Sequence, residues 1–191
     1  MAISLLAFIQ PAWAGLESGV AAYDAGEYST AYRELYPLAM REDPVAAYLL
    51  SRMYLAGQGM PQNSEEGLKW LRLAADRSEV AAQLQLGTRY EHGIGLAQSD
   101  AEAFRWYKKA ADLGSPVGQL YVGMMYSNAR GVTGNLVAAH MWLNLATAAL
   151  PPGQIRNSAA KLRDSITARL SPEQLATAHG LARNWKPAKT E

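Results

Sequence analysis

The sequence predicts an all-α fold: a right-handed α-solenoid of about four helix-turn-helix units, finished by a C-terminal helical cap. Three observations carry this expectation. The chain repeats itself without gaps every 36 residues, so that 44–79, 80–115 and 116–151 fall into register. Within the register Tyr54/Tyr90/Tyr126, Gly59/Gly95/Gly131, Trp70/Trp106/Trp142 and Ala74/Ala110/Ala146 occupy shared columns. Each block also changes from small and apolar residues at helical spacing, through a glycine-bearing turn, to a second helical stripe. A fixed period of this size marks stacked units, each burying an apolar face against its neighbour.

Residues 1–14 open the chain with an apolar run, Ile3 to Ile9, followed by Gln10-Pro11 and Ala12-Trp13-Ala14. A short apolar core followed by an A-x-A step is the pattern of an export signal, although no basic residue precedes the run. We read 1–14 as a signal peptide cleaved after Ala14, which would place the protein in the periplasm or outside the cell. The alternative is an apolar helix retained on a cytoplasmic protein. The run is too short to span a bilayer.

Residues 15–43 form a degenerate first unit. A helix over 15–24 precedes a short turn at Gly26, and Ser29 is expected to cap a second helix over 30–41, which Pro37 should kink. Units 44–79, 80–115 and 116–151 follow. In the middle one, 80–90 is helical, Gly93 and Gly95 stop it, and Asp100 is expected to cap the helix over 101–113. Ser64 holds the Asp100 position in the preceding unit. Leu136 holds it in the next, so that helix should start from Asn135. Small residues at Ala46/Ala82/Gly118 and Ser51/Gly87/Gly123 let paired helices approach closely, while the Tyr and Trp columns fill the wider gaps. The cap, 152–185, reads as two helices: 154–170, with Ile155, Leu162, Ile166 and Leu170 as its apolar side, and one opened by Ser171-Pro172 that runs to Trp185. Residues 186–191 are a tail.

Bulk composition excludes several function classes. The net charge is +1, with 18% charged and 49% hydrophobic residues. That describes a folded protein with no electrostatic footprint for nucleic acid. There is no cysteine, hence no disulfide, thiolate metal site or cysteine nucleophile.

The blocks resemble Sel1-like repeats, relatives of the tetratricopeptide repeat. The family pattern combines L-G-x-x-Y, a G-x-G turn, an acidic cap and a W-Y-x-x-A-A-x-x-G helix. The second block carries it in Leu86-Gly87, Tyr90, Gly93, Gly95, Asp100, Ala103, Trp106-Tyr107, Ala110-Ala111 and Gly114. The first departs at Ser51, Gly67, Leu71 and Ser78; the third departs at Ala129, Leu143, Thr147 and Leu150. The resemblance covers about 15–151 and implies a binding scaffold of signalling or envelope assembly, similar to exported bacterial members. It brings no shared catalytic residues.

No constellation of catalytic or metal-ligating residues emerges. His92, His140 and His179 lack metal-ligand spacing, so no metal and no cofactor is expected. Ser158-Ala159-Ala160-Lys161 fits the S-x-x-K of penicillin-recognising serine enzymes, but the partner motifs are missing. A cell-wall or β-lactam-acting serine enzyme using Ser158 and Lys161 is therefore the alternative reading, and a self-associating structural repeat protein a third.

The favoured reading is a non-catalytic scaffold or regulator that binds another protein or peptide, such as an envelope sensor or assembly component, without nucleic acid or a membrane span. First helices usually line the inner surface of a solenoid. The columns there that vary between units are Leu49/Gln85/Tyr121, Arg52/Thr88/Met124, Met53/Arg89/Met125 and Ala56/His92/Asn128. They nominate Gln85, Thr88, Arg89, His92, Tyr121, Met124, Met125 and Asn128 as a concave protein-binding face. Leu50/Leu86/Val122 and Tyr54/Tyr90/Tyr126 are left for the core.

Overall fold

A computed structural model describes the backbone of residues 12–189 and the side chains of residues 15–189. The signal peptide expected over 1–14 lies outside the described residues, apart from the backbone of 12–14. Ten helices and no strand occur among the described residues, in two compact units spanning 1–79 and 80–191.

The first unit holds α1 (Ala12–Asp24), α2 (Tyr28–Ala39), α3 (Pro44–Ala56) and α4 (Ser64–Asp76), each packed on the next. Leu35, Ala46, Leu50, Met53, Leu71 and Ala74 form its buried interior. Gln58, just past α3, ties the elements together: its amide nitrogen donates to the Tyr28 hydroxyl at 2.8 Å, and its amide oxygen accepts from the Tyr23 hydroxyl at 3.2 Å. The expected cap at Ser29 is not used. Helix α2 starts earlier, at Tyr28, and Glu27 precedes it without a side-chain cap bond. Pro37 lies inside α2, near its end.

The second unit holds α5 (Val80–His92), α6 (Asp100–Asp112), α7 (Pro116–Asn128), α8 (Leu136–Ala149), α9 (Gln154–Thr167) and α10 (Pro172–Asn184). Helices α5 to α9 pack in sequence, and α10 also packs on α8. Close approach depends on the small column. A Cβ at Gly87 would lie 2.5 Å from a ring carbon of Tyr107, and one at Gly123 would lie 2.7 Å from Leu143 Cγ. Trp106 and Trp142 are buried, as is Trp70 in the first unit. Past α10 the described part of the tail is tied back to the second unit. Trp185 meets Trp142 edge-on at 6.0 Å, and the Ala188 amide donates to the Asp112 carbonyl at 2.7 Å.

Helix starts follow one column with a one-residue correction. Asn63, Ser99 and Asn135 are the N-caps of α4, α6 and α8, each accepting from the amide three residues on. Ser64 and Asp100 are instead the first helical residues. Asn135 takes the cap role as expected. The amides of the three caps also donate back to the carbonyls of Tyr54, Tyr90 and Tyr126. The helix ends repeat too: Gly57, Gly93 and Ala129 all have left-handed φ, of 69°, 69° and 53°. Only glycine adopts that conformation without strain. Downstream, Ser115 and Ser171 cap α7 and α10, the latter in a reciprocal capping box with Gln174.

Candidate protein-binding surface

The eight nominated residues form one stripe on α5 and one on α7, since positions i, i+3, i+4 and i+7 share a helix face. The stripes meet different fates. On α5, Thr88 is occupied by internal bonds: its hydroxyl donates to the Leu84 carbonyl at 3.1 Å and lies 3.1 Å from the Tyr107 hydroxyl. Arg89 folds over its own turn, with NH1 donating to the Ile94 carbonyl at 3.0 Å. Its Nε is buried without a partner, and burial lowers its pKa. Gln85 is half-buried. His92 is exposed beside Glu91.

On α7 one assignment is corrected. Met125 is 3% exposed and belongs to the hydrophobic interior with Tyr107, Val122 and Trp142, so it presents nothing to a partner. The physical reason is helical phase: Gly118, Val122 and Met125 stand at i, i+4 and i+7, and all three are buried. Met53, in the same column of the first unit, is buried as well. Variation between units here reflects different ways of filling the core. Asn128 is exposed at the end of α7.

Tyr121 and Met124 are brought together with residues that the repeat columns did not nominate. Val117, Leu120, Tyr121 and Met124 form one wall of an open groove of about 460 Å³, and Ile155, Ser158, Ala159 and Leu162 of α9 form the other. No charged side chain lines it. Val117, Met124 and Ile155 are large apolar residues left exposed, Ile155 at 62%. The Tyr121 ring is fixed by stacking on Tyr107 at 4.3 Å and 8°. Tyr107 is held in turn by donating to Glu91 at 2.8 Å, and its pKa is raised chiefly by burial. One groove wall is therefore rigid at its centre. Ile155, on the apolar side of its helix by sequence, is exposed instead of covered. Its exposure follows from its place in the first turn of α9, whereas Ile166 further along is buried.

The S-x-x-K residues are both exposed. Ser158 lines the groove, and neither its side chain nor that of Lys161 makes a hydrogen bond among the described residues. His140 is buried, with Nε2 3.0 Å from the Thr167 hydroxyl and its ring 5.2 Å from that of His179. Among the described residues no group of His, Asp and Glu could hold a metal ion, and no helix is long and apolar enough to cross a membrane.

The Sel1 repeat matches this chain over residues 44–79, 80–115 and 116–149. The chain belongs to the Sel1 repeat family. Its matched blocks start at the same residues as the 36-residue register, and the fold is the all-α repeat solenoid of that family. A crystal structure of a Sel1 repeat protein from Oxalobacter formigenes is similar, with 34% identity, 70% of this chain and 96% of that chain covered, and a TM-score of 0.64. The fold is also shared with a protective antigen present in uropathogenic Escherichia coli strains that displays an SLR fold. There the identity is 21% and the TM-score 0.59, over 92% of this chain and 45% of that one. None of the curated proteins matches the chain. Sel1 repeats generally act as protein-interaction scaffolds, and no enzyme family is indicated.

Proposed function

We propose that this Sel1 repeat protein is a non-catalytic scaffold or regulator of the bacterial periplasm or cell envelope, and that it captures an apolar segment of another protein in the α7–α9 groove. The observation that carries the reading is the groove itself. It is an uncharged cleft between two helices, with Val117, Met124 and Ile155 exposed and Tyr121 held rigid. Clefts of this kind accept the apolar face of a partner helix, and methionine lets the wall adapt to its shape. The envelope address rests on the Ala12-Trp13-Ala14 step.

The test is affinity capture from the native envelope with the wild-type protein, a Tyr121→Ala/Met124→Glu variant and an Arg72→Ala control on an exposed residue. The groove variant should lose a specific bound protein while keeping its helical circular dichroism, and the control should retain it. Equal capture by all three would refute the site. N-terminal sequencing of protein made in a secreting bacterium tests the address, since a retained Met1 would sink it.

A further inference from the structure

A second, chemically opposite pocket lies where α8 meets α9. It measures about 230 Å³ and is lined by Asn144, Thr147, Ala148, Arg156, Ala160 and Arg163. The two arginines stand seven residues apart, about 10 Å along one face of α9. Ala160 and Ala148 keep the space between them open. Arg163 is already oriented: NH1 donates to the Thr147 hydroxyl at 3.1 Å, while Nε and NH2 donate to Asp164 at 3.0 and 2.7 Å. The Thr147 hydroxyl hydrogen is directed to the Leu143 and Asn144 carbonyls, at 2.9 and 3.0 Å, so its lone pair faces Arg163. Arg156 is half-buried, and its side chain has no hydrogen bond or acidic partner among the described residues. A guanidinium carries five donors in a planar fork and never gives up its charge. None of the six lining residues is acidic, and although Asp164 beside the pocket pairs with Arg163, Arg156 brings a charge with no carboxylate partner.

We infer that this pocket binds a phosphate group, bridged between the Arg156 fork and the two Arg163 N–H groups, one on NH1 and one on NH2, that Asp164 and Thr147 leave free, with the Asn144 amide as a third donor. A carboxylate offers two oxygens and satisfies one fork. A phosphate offers oxygens enough for both, which is why the paired arginines favour it. Asp164 competes for Arg163 and sets the affinity. The inference is independent of the apolar groove, which uses the other side of α9.

The test is a titration of the full chain with inorganic phosphate at constant ionic strength, following the arginine Nε–H signals by NMR. Sodium acetate serves as the carboxylate arm. Saturable shifts of the Arg156 and Arg163 signals with phosphate are expected, with acetate much weaker. Arg156→Gln should weaken phosphate about tenfold, the scale of a lost charge-assisted hydrogen bond. Asp164→Asn should tighten it several-fold, an effect that a merely damaged fold would not produce. Ala160→Glu should abolish binding while leaving helicity intact. Linear shifts that match chloride, equal affinity for acetate, or indifference to both Arg156→Gln and Asp164→Asn would each overturn the assignment.

Discussion

Arg130 grips Asp100 with both ends of its guanidinium, NH2 to Oδ1 at 2.6 Å and Nε to Oδ2 at 3.2 Å. NH1 meanwhile reaches Glu91 at 2.9 Å. The three residues come from the turn after α7, the first turn of α6 and the end of α5, so one side chain fastens two consecutive repeats. Glu91 is mostly buried and also accepts from Tyr107. Replacing Arg130 by Ala should cost about 1–2 kcal/mol, above the value of an exposed pair because it leaves the mostly buried Glu91 Oε1 without its donor. Arg130→Lys should recover little, since an ammonium cannot fork across both carboxylates. Urea unfolding of the three proteins measures this, and full recovery by Lys would show that charge alone matters.

Left-handed positions held by side chains can be relieved. Ala129 takes the place of Gly57 and Gly93 with φ 53°, and Ser78 takes the place of Gly114 with φ 67°. Ala129→Gly and Ser78→Gly should each stabilise by about 0.5–1 kcal/mol, as relief of the left-handed strain exceeds the added flexibility of glycine in the unfolded chain. The gains should add in thermal melts, because the two positions lie in different turns and share no partner. A loss of stability in either would contradict the strain reading.

The small column should resist even one methyl. Gly87→Ala would drive a Cβ into the Tyr107 ring, which cannot retreat. That ring is buried, stacked on Tyr121 and hydrogen-bonded to Glu91. Overpacking of this kind costs about 1–3 kcal/mol. Chemical denaturation would read it, and a neutral result would mean that α5 slides away from α6 more easily than its packing implies.

His140 makes the C-terminal helices sensitive to acid. Burial, then His179 on α10, then Arg163 on α9 hold its pKa below the ordinary 6.5, with Asp164 pulling weakly the other way. In the unfolded chain the same imidazole gains its proton near its ordinary value. Above that pH it is neutral in both states. As pH falls through about 6.5 the unfolded state binds a proton that the folded state resists, so stability declines until the folded pKa is passed. His140→Gln should flatten the decline in melting temperature between pH 8 and pH 5. Parallel profiles for the two proteins would assign the acid sensitivity elsewhere.

Most of the fold was legible because stacking imposes the same packing problem every 36 residues, and its solutions recur in the same columns. Trp70/Trp106/Trp142 and Leu50/Leu86/Val122 could be assigned inward without coordinates. The caps fall one residue before Ser64 and Asp100, which are good cap residues sitting beside better-placed ones. The column Asn63/Ser99/Asn135, capable of capping in all three units, held the needed signal. Variation between units at the Met125 column reads as exposure, yet the i, i+4, i+7 relation to Gly118 and Val122 marks it as interior. The groove was half legible. Tyr121 and Met124 follow from the repeat, but the α9 wall depends on how Ala159 and Ile166 seat that helix, and this lies outside the repeat.

The junction chemistry at each turn is the same part used three times. The cap side chain, the cap amide returning to the Tyr54/Tyr90/Tyr126 carbonyls, and the amide after each left-handed residue returning to the carbonyl five residues back all recur at the 36-residue step. A genetic crossover between any two equivalent positions would therefore join halves that already carry matching connectors. Copies can be gained or lost by unequal recombination without a new turn having to be invented, and the exposed columns are then free to diverge from one copy to the next.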